Sequence, residues 1–441
     1  MTLDLVQSVV YMAFAADGAS GIVDSQAGLT TYLRNYLNGG TAPDGSDYHG
    51  FLPWFNSAQI GYQLIGGDWE ILWGPVAIPQ PHVSQSYSAN AMYVAFSPSQ
   101  RVYVVGVAGT DFDSLYDWFY EDGNVAASDM VDWPLNGGSF NGAKISGATF
   151  TGITNLLGMT DSSGASLATF LEAISATDKS ASTLIFTGHS LGGALAPTLA
   201  LNLYPDPAGS GWQKVNVLAL AGPTPGNKAF ATLFNTAYPQ ISSGGATYPY
   251  WNTNYQNFAD IVPRAWNRIQ SVAPLPSNGW SYYSIWGKLG LALNFEIQEL
   301  IKGVNILVAG ADYWRINHLV FGADWGCFDP GAAIVPPSGG DWPYPPAWPT
   351  WVNWPRYGIT NPLTSRDQLE PLIEAAHIDQ YYRYFGLMPI PHFPLGTQQE
   401  ARRTAAAAKK NLLRAAARLS TVEPASDERI KSADEAPDEE G

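Results

Sequence analysis

The spacing of apolar residues predicts strands and helices that alternate along most of the chain. Two apolar arms rich in β-branched and aromatic side chains flank a Ser-Pro-Ser-Gln turn and indicate a hairpin. The predicted elements are a hairpin at 91–107, a helix at 164–176, a strand at 183–187, a helix to about 203, a strand at 215–221, a helix at 228–234 and a strand at 248–258. This order predicts an α/β fold with a mainly parallel central sheet and helices on both faces.

Two further apolar segments have alternative interpretations. The run Leu5–Ala16 ends in Ala-Phe-Ala, as a signal peptide does, but Asp4 and the lack of a preceding Lys or Arg favour a first helix. We therefore expect a cytoplasmic or non-classically secreted protein. Charged residues interrupt the apolar segment Ile285–Gly310, and this pattern predicts one or two amphipathic helices. Packing on the core is the favoured interpretation, and a lid or interfacial role is the alternative. No apolar run reaches the roughly 18 residues typical of a membrane span.

Two segments near the end of the chain differ in composition from the rest. Residues 322–358 are rich in Trp and Pro, which predicts a long ordered loop laid over the body of the protein. Contact of its Trp rings with sugars or lipids is the alternative. Residues 399–441 predict a helix followed by a charged, disordered tail.

Charge and cysteine content exclude several kinds of ligand. The net charge of −16 argues against a nucleic-acid partner and gives no general attraction to anionic membranes. Cys327 is the only cysteine, so the chain has no internal disulfide, and no Cys/His cluster has the spacing of a zinc site. We predict no metal and no cofactor.

The segment Gly188–Gly193 reads Gly-His-Ser-Leu-Gly-Gly between a predicted strand and a predicted helix. This is the setting of a nucleophile elbow, in which glycines two residues on either side of the serine permit a tight turn. The turn exposes the hydroxyl of Ser190 at a helix N-terminus, where partial positive charge favours a developing anion. A purely structural turn is the less favoured interpretation.

A serine hydroxyl needs a general base oriented by a carboxylate. With an elbow of this kind the chain order is Ser, then Asp or Glu, then His, which leaves His318, His377 and His392 as candidate bases. Asp260 stands at the end of a predicted strand and is the favoured carboxylate, ahead of Asp312.

Six motifs in order, over roughly residues 91–386, resemble the class 3 (fungal-type) lipase family of the α/β-hydrolases. They are Gly109-Thr110, Asp117-Trp118, Gly188–Gly193, GPTPGNKAF at Gly222–Phe230, DIVPR at Asp260–Arg264, and His377 followed by Tyr381 and Tyr382. The resemblance implies an α/β-hydrolase domain over residues 1–398, with a lid and with residues 322–358 as an insertion. One departure is Ala108, where the family usually has Arg.

The resemblance selects His377 as the base and implies a Ser190, His377 and Asp260 triad. It also implies an oxyanion hole at Thr110 and Leu191, and a lid in which Trp118 and Phe119 contact substrate. The function expected from the resemblance is hydrolysis of lipid esters through an acyl-enzyme, at an oil-water or membrane interface. Aryl or feruloyl esterase, phospholipase and non-catalytic lipid-binding activities are the alternatives, and the oligomeric state is left open.

Overall fold

The computed structural model of the 441-residue chain describes residues 3–20, 22, 24–41, 47–48, 50–56, 67–81, 86–109, 124–135, 140–244, 248–273, 282–322, 326–329, 350–353 and 363–390. The α-helices are α1 (Leu5–Ala16), α2 (Gln26–Asn38), α3 (Phe51–Asn56), α4 (Gly147–Gly158), α5 (Leu167–Ala173), α6 (Ala176–Ser180), α7 (Leu191–Leu203), α8 (Lys228–Ala237), α9 (Leu291–Leu307), α10 (Arg366–Glu374) and α11 (Gln380–Tyr384). The strands are β1 (Gly40–Thr41), β2 (Asp47–Tyr48), β3 (Glu70–Pro81), β4 (Ser86–Ser97), β5 (Val102–Val107), β6 (Val131–Asp132), β7 (Lys144–Ile145), β8 (Thr183–His189), β9 (Lys214–Leu220), β10 (Ile241–Ser242), β11 (Tyr250–Trp251), β12 (Thr253–Asn257), β13 (Tyr282–Ser284), β14 (Gly287–Leu289), β15 (His318–Phe321), β16 (Gly326–Asp329) and β17 (Thr350–Asn353).

A seven-stranded sheet in the order β15-β12-β9-β8-β5-β4-β3 forms the centre of the molecule. Strands β5, β8, β9, β12 and β15 pair in parallel, whereas β3, β4 and β5 pair antiparallel. The predicted hairpin is present as β4 and β5, and the predicted mainly parallel sheet is confirmed. The carboxyl ends of the parallel strands lie along one edge, where an open α/β sheet places its ligand site.

Helices cover both faces of the sheet, as predicted. Side chains alternate across a strand, so Val104 of β5 packs with α1 and α2 in one core cluster, and Val105 packs with α4, α7 and α8 in another. Both valines are fully buried. Burial of one such side chain contributes about 1.5 to 3 kcal/mol. The sheet edge that carries the site therefore lies between two buried apolar layers.

The first helix forms over the residues that its apolar pattern predicted. Asp4 caps it in a reciprocal arrangement, in which its carboxylate accepts from the Gln7 backbone N–H at 2.7 Å and its own N–H donates to the Gln7 side chain. Most of the helix is buried, and the Tyr93 hydroxyl of β4 donates to the carbonyl of Met12 at 2.8 Å. Helix α1 is thereby fixed to the sheet.

Two predicted elements are divided in the structure by local backbone signals. The helix predicted at 164–176 is limited to α5, because Ser166 caps its start and Ser175 caps the separate helix α6. The strand predicted at 248–258 is split into β11 and β12 at Asn252, whose φ of 59° interrupts the extended backbone.

The segment predicted at 285–310 contains one helix, α9, which follows the hairpin of β13 and β14. One face packs into a third core cluster through Leu293, Ile297, Ile301 and Val304, as expected for core packing. This cluster also contains Ala259 and Ala376, so it reaches the residues that precede Asp260 and His377. Among the helices of the described ranges, none combines the length and apolarity needed to cross a bilayer.

The Trp/Pro-rich segment contains more regular structure than its composition predicted. Strands β16 and β17 pair antiparallel within residues 322–358. Most of that segment, the predicted domain boundary at 398 and the whole of residues 399–441 lie outside the described residues.

Candidate active site

Ser190 lies in a tight turn between β8 and α7, at the carboxyl edge of the parallel strands. Its backbone has φ 58° and ψ −128°, a conformation that costs a residue with a side chain on the order of 1 to 3 kcal/mol. The Ser190 N–H donates to the carbonyl of Leu220 at 3.0 Å, and the Ser190 carbonyl accepts from the N–H of Gly193 at 2.8 Å. The turn has the strand-turn-helix geometry that the sequence predicted for a nucleophile elbow.

The two glycines that flank Ser190 are required by close backbone contacts. A Cβ at Gly188 would lie 2.4 Å from the carbonyl oxygen of Gly192, and one at Gly192 would lie 2.3 Å from that of Val107. Both distances are far below van der Waals contact, so any other residue would push the elbow away from β5. The Ser190 hydroxyl is buried, and it makes no hydrogen bond to the described residues.

Asp260 lies beyond the end of β12 and is fully buried. Its Oδ2 accepts hydrogen bonds from His377 Nδ1 at 2.9 Å and from the Tyr381 hydroxyl at 2.8 Å. Its Oδ1 accepts from the backbone N–H of Val262 at 3.0 Å. Three donors therefore fix the carboxylate, and its buried charge is compensated by hydrogen bonds.

His377 lies in a π-helical turn, Ala375–Asp379, between α10 and α11. Nδ1 faces the carboxylate of Asp260, which accepts only, so the geometry places the proton on Nδ1 and leaves Nε2 as the basic nitrogen. The ring also lies next to His189, with ring centroids 4.5 Å apart, and His189 directly precedes Ser190. The structure thus joins Asp260 and His377 in a buried cluster, and the cluster contacts His189, the residue before Ser190.

Burial lowers the pKa of His377, while the nearby Asp260 carboxylate opposes that shift and His189 adds to it. A lowered pKa keeps the imidazole neutral at neutral pH, the state in which it accepts a proton. The cluster has the parts that proton abstraction from a serine hydroxyl needs.

The sequence did not predict a structural role for Tyr381, which lies four residues after His377. Its hydroxyl accepts from the N–H of Asn257 at 3.0 Å while it donates to Asp260. Burial raises the pKa of this hydroxyl well above its usual value, so it remains a donor. The spacing of four residues, which aligns two side chains on one helical face, was the available signal.

The remaining predicted site residues are only partly described. Leu191 is the first residue of α7, at the helix end where backbone N–H groups lack partners within the helix. Thr110, Trp118, Phe119 and the candidate base His392 lie outside the described residues.

The alternative base and carboxylate lie elsewhere. His318 is on β15, and its Nδ1 lies 3.2 Å from the carbonyl of Ile316. Asp312 follows α9 in a turn and has a φ of 52°. Neither residue is part of the buried cluster.

The fold and the buried cluster define the class of protein, a serine hydrolase with an α/β-hydrolase fold. Residues 104–269 match the family model described as Lipase (class 3). This match covers less than half of the chain and confirms the resemblance drawn from its motifs. The fold and this match together support a serine ester hydrolase with lipase-like activity.

Solved structures of lipases resemble the chain. M37 lipase is 22% identical, with a TM-score of 0.54, and the match covers 87% of this chain and 93% of that one. The Rhizomucor miehei lipase in its propeptide complex is 18% identical, with a TM-score of 0.36, over 59% of this chain and 63% of that one. The mono- and diacylglycerol lipase from Aspergillus oryzae is 15% identical, with a TM-score of 0.33, over 64% and 78%.

Proposed function

We propose that the protein hydrolyses lipid esters through an acyl-enzyme, with Ser190 as nucleophile, His377 as general base and Asp260 as the orienting carboxylate. The observation that carries the proposal is the buried hydrogen bond of 2.9 Å between His377 Nδ1 and Asp260, next to the strained turn of Ser190. An aspartate and a histidine, both almost completely buried, are costly to maintain. Such groups with shifted pKa values concentrate at catalytic sites.

In the first half of the reaction, the Ser190 oxygen attacks the ester carbonyl carbon and His377 Nε2 takes the hydroxyl proton. The C–O bond to the alcohol then breaks, and His377 returns the proton to the leaving oxygen. Water repeats these steps on the acyl-enzyme, which releases the carboxylic acid and restores the serine. Asp260 stabilises the doubly protonated ring in both halves.

We assign the oxyanion hole to the backbone N–H of Leu191 and to Thr110. The start of α7 supports Leu191, because an N–H at a helix N-terminus points at the developing negative charge. Loss of one such donor costs about 2.7 to 4 kcal/mol of transition-state stabilisation. Thr110 is assigned from the family resemblance. It directly follows Gly109, the last described residue of this segment.

The triad is tested with chromogenic esters and an active-site probe. Ser190→Ala and His377→Ala are expected to abolish hydrolysis of a soluble short-chain p-nitrophenyl ester while the melting temperature shows a folded protein. A fluorophosphonate should label the wild type and not Ser190→Ala. His318→Ala is the matched control and should hydrolyse the ester like the wild type. Activity lost in His318→Ala and kept in His377→Ala would move the base and refute the assignment.

The substrate class is tested by a chain-length series, measured below and above the solubility limit of each ester. Long-chain acyl esters are expected to be better substrates than feruloyl esters, and activity should rise when the substrate forms an interface. Trp118→Ala should change the chain-length preference if Trp118 and Phe119 belong to a lid. An unchanged profile would remove the lid from the proposal.

A further inference from the structure

The carboxyl end of helix α1 lies against the two strands that carry the candidate site. Asp17 follows the helix directly and is its C-terminal capping residue. The helix is fixed to the segment that follows α11. The Tyr11 hydroxyl donates to the carbonyl of Met388 at 2.8 Å, and the Gln7 side chain donates to that of Phe385 at 2.9 Å. Asp17 therefore projects from a rigid support.

The two oxygens of Asp17 contact the ends of two neighbouring strands. Oδ1 accepts a hydrogen bond from the backbone N–H of Gly109, two residues beyond β5, at 2.7 Å. Oδ2 lies 3.1 Å from Nδ1 of His189, the last residue of β8. The side chain of Ala108 has no polar group, and Asp17 supplies a side-chain hydrogen bond to the next residue, Gly109.

His189 extends the connection to the segment of the candidate base. Its Nε2 lies 2.8 Å from the backbone carbonyl of His377. The His189 ring lies between the rings of Phe14 and His377, with ring centroids 4.5 Å away on each side. A single chain of hydrogen bonds thus runs from Gly109 through Asp17 and His189 to the backbone of His377.

Each nitrogen of the His189 ring has an oxygen partner. The carbonyl oxygen of His377 only accepts, so Nε2 of His189 must donate to it. Nδ1 faces the carboxylate of Asp17, which also accepts when it is ionised. Nδ1 and Oδ2 of Asp17 form the second polar contact of the ring. The His189 side chain is 5% exposed and that of Asp17 22%, so solvent screens the pair only in part.

We propose that Asp17 is a positioning residue for the ester hydrolysis. Its carboxylate fixes the relative positions of Gly109, the elbow of Ser190 and the backbone of His377. The inference rests on the proposed function, since Gly109 leads into Thr110, the assigned oxyanion donor. Small displacements of such groups slow the chemical step while ground-state binding is retained.

Asp17→Ala is the first test, with activity measured on a soluble short-chain ester well below the melting temperature. We expect kcat to fall about 10- to 100-fold while KM changes less than about threefold, since lost positioning acts mainly on the transition state. Asp17→Ser should share the loss, because its single short hydroxyl does not span both partners. It serves as the test if the alanine variant does not fold.

Two further variants separate positioning from stability. Asp17→Asn keeps the shape, since its amide oxygen accepts from Gly109 and its NH2 donates to a neutral His189, so kcat should fall less than about fivefold. Asp4→Ala removes the cap at the other end of the same helix, and it should lower the melting temperature with kcat within about twofold of the wild type.

The inference would be overturned by a folded Asp17→Ala or Asp17→Ser variant with kcat within about threefold of the wild type. A loss of kcat in Asp4→Ala equal to that in Asp17→Ala would also overturn it, as would an Asp17→Asn variant as slow as Asp17→Ala. Failure of the proposed function looks different. It would appear as an inactive wild type or as a Ser190→Ala variant that remains active.

Discussion

Replacement of Asp260 by Asn tests whether the carboxylate fixes the tautomer of His377. Oδ2 accepts from both His377 Nδ1 and the Tyr381 hydroxyl, and Oδ1 accepts from the N–H of Val262. An amide supplies one acceptor oxygen and one NH2 donor. When the NH2 group occupies the Oδ2 position, it donates towards Nδ1 of His377, so the proton of the neutral imidazole must lie on Nε2. When the NH2 group occupies the Oδ1 position, two donors face each other, the NH2 group and the N–H of Val262.

The first orientation leaves no basic nitrogen for the Ser190 hydroxyl. Loss of the orienting aspartate in a Ser-His-Asp triad lowers kcat by about 10⁴-fold, which corresponds to about 5.4 kcal/mol at 1.36 kcal/mol per tenfold. The second orientation keeps the tautomer but creates a buried contact between two donors that costs about 1 to 3 kcal/mol of stability. We therefore expect a loss of kcat, a loss of unfolding free energy, or both.

The assay is kcat on a soluble p-nitrophenyl ester, together with urea unfolding of the same preparation. Asp312→Asn is the matched control, because Asp312 adopts φ 52°, where Asn is well tolerated, and lies apart from the buried cluster. It should leave kcat and stability unchanged. The reasoning is refuted if Asp260→Asn keeps more than about a tenth of kcat with unchanged stability, or if Asp312→Asn loses as much.

Three further predictions follow from the same cluster. Because burial lowers the pKa of His377, the acid limb of kcat/KM should lie below pH 6.5, and a limb above that value would contradict the buried base. Tyr381→Phe leaves the N–H of Asn257 without its partner, so urea unfolding should show a loss of about 1 to 3 kcal/mol, whereas an unchanged midpoint would argue against this contact. Ser190→Gly should be inactive and more stable than Ser190→Ala by about 1 kcal/mol, because glycine adopts positive φ without strain; equal unfolding free energies would show that the turn is unstrained.

The sequence predicted those parts of the site that have a motif or an apolar pattern within a short segment of the chain. The elbow of Ser190 is a short motif between a strand and a helix, and both neighbours have clear apolar patterns. Residue chemistry left three histidines open, and only the ordered family motifs selected His377. The contact of Asp17 with His189 joins residues 172 positions apart in the chain, so no local pattern indicates it. It depends on where the buried helix α1 ends relative to β8, and tertiary packing decides that.

The three core clusters explain why the groups of the site keep their relative positions. Asp17 extends from α1, which belongs to the cluster on one face of the sheet, and α7 behind Ser190 packs into the cluster on the other face. Asp260 and His377 follow residues of the third cluster. Asp17, Ser190 and the Asp260–His377 pair are therefore anchored in three different parts of the core, and the hydrogen bonds of His189 to Asp17 and to His377 connect these parts. A change that loosens one cluster should alter the geometry of the site before it unfolds the protein, because the sheet common to all parts holds the remaining groups in place.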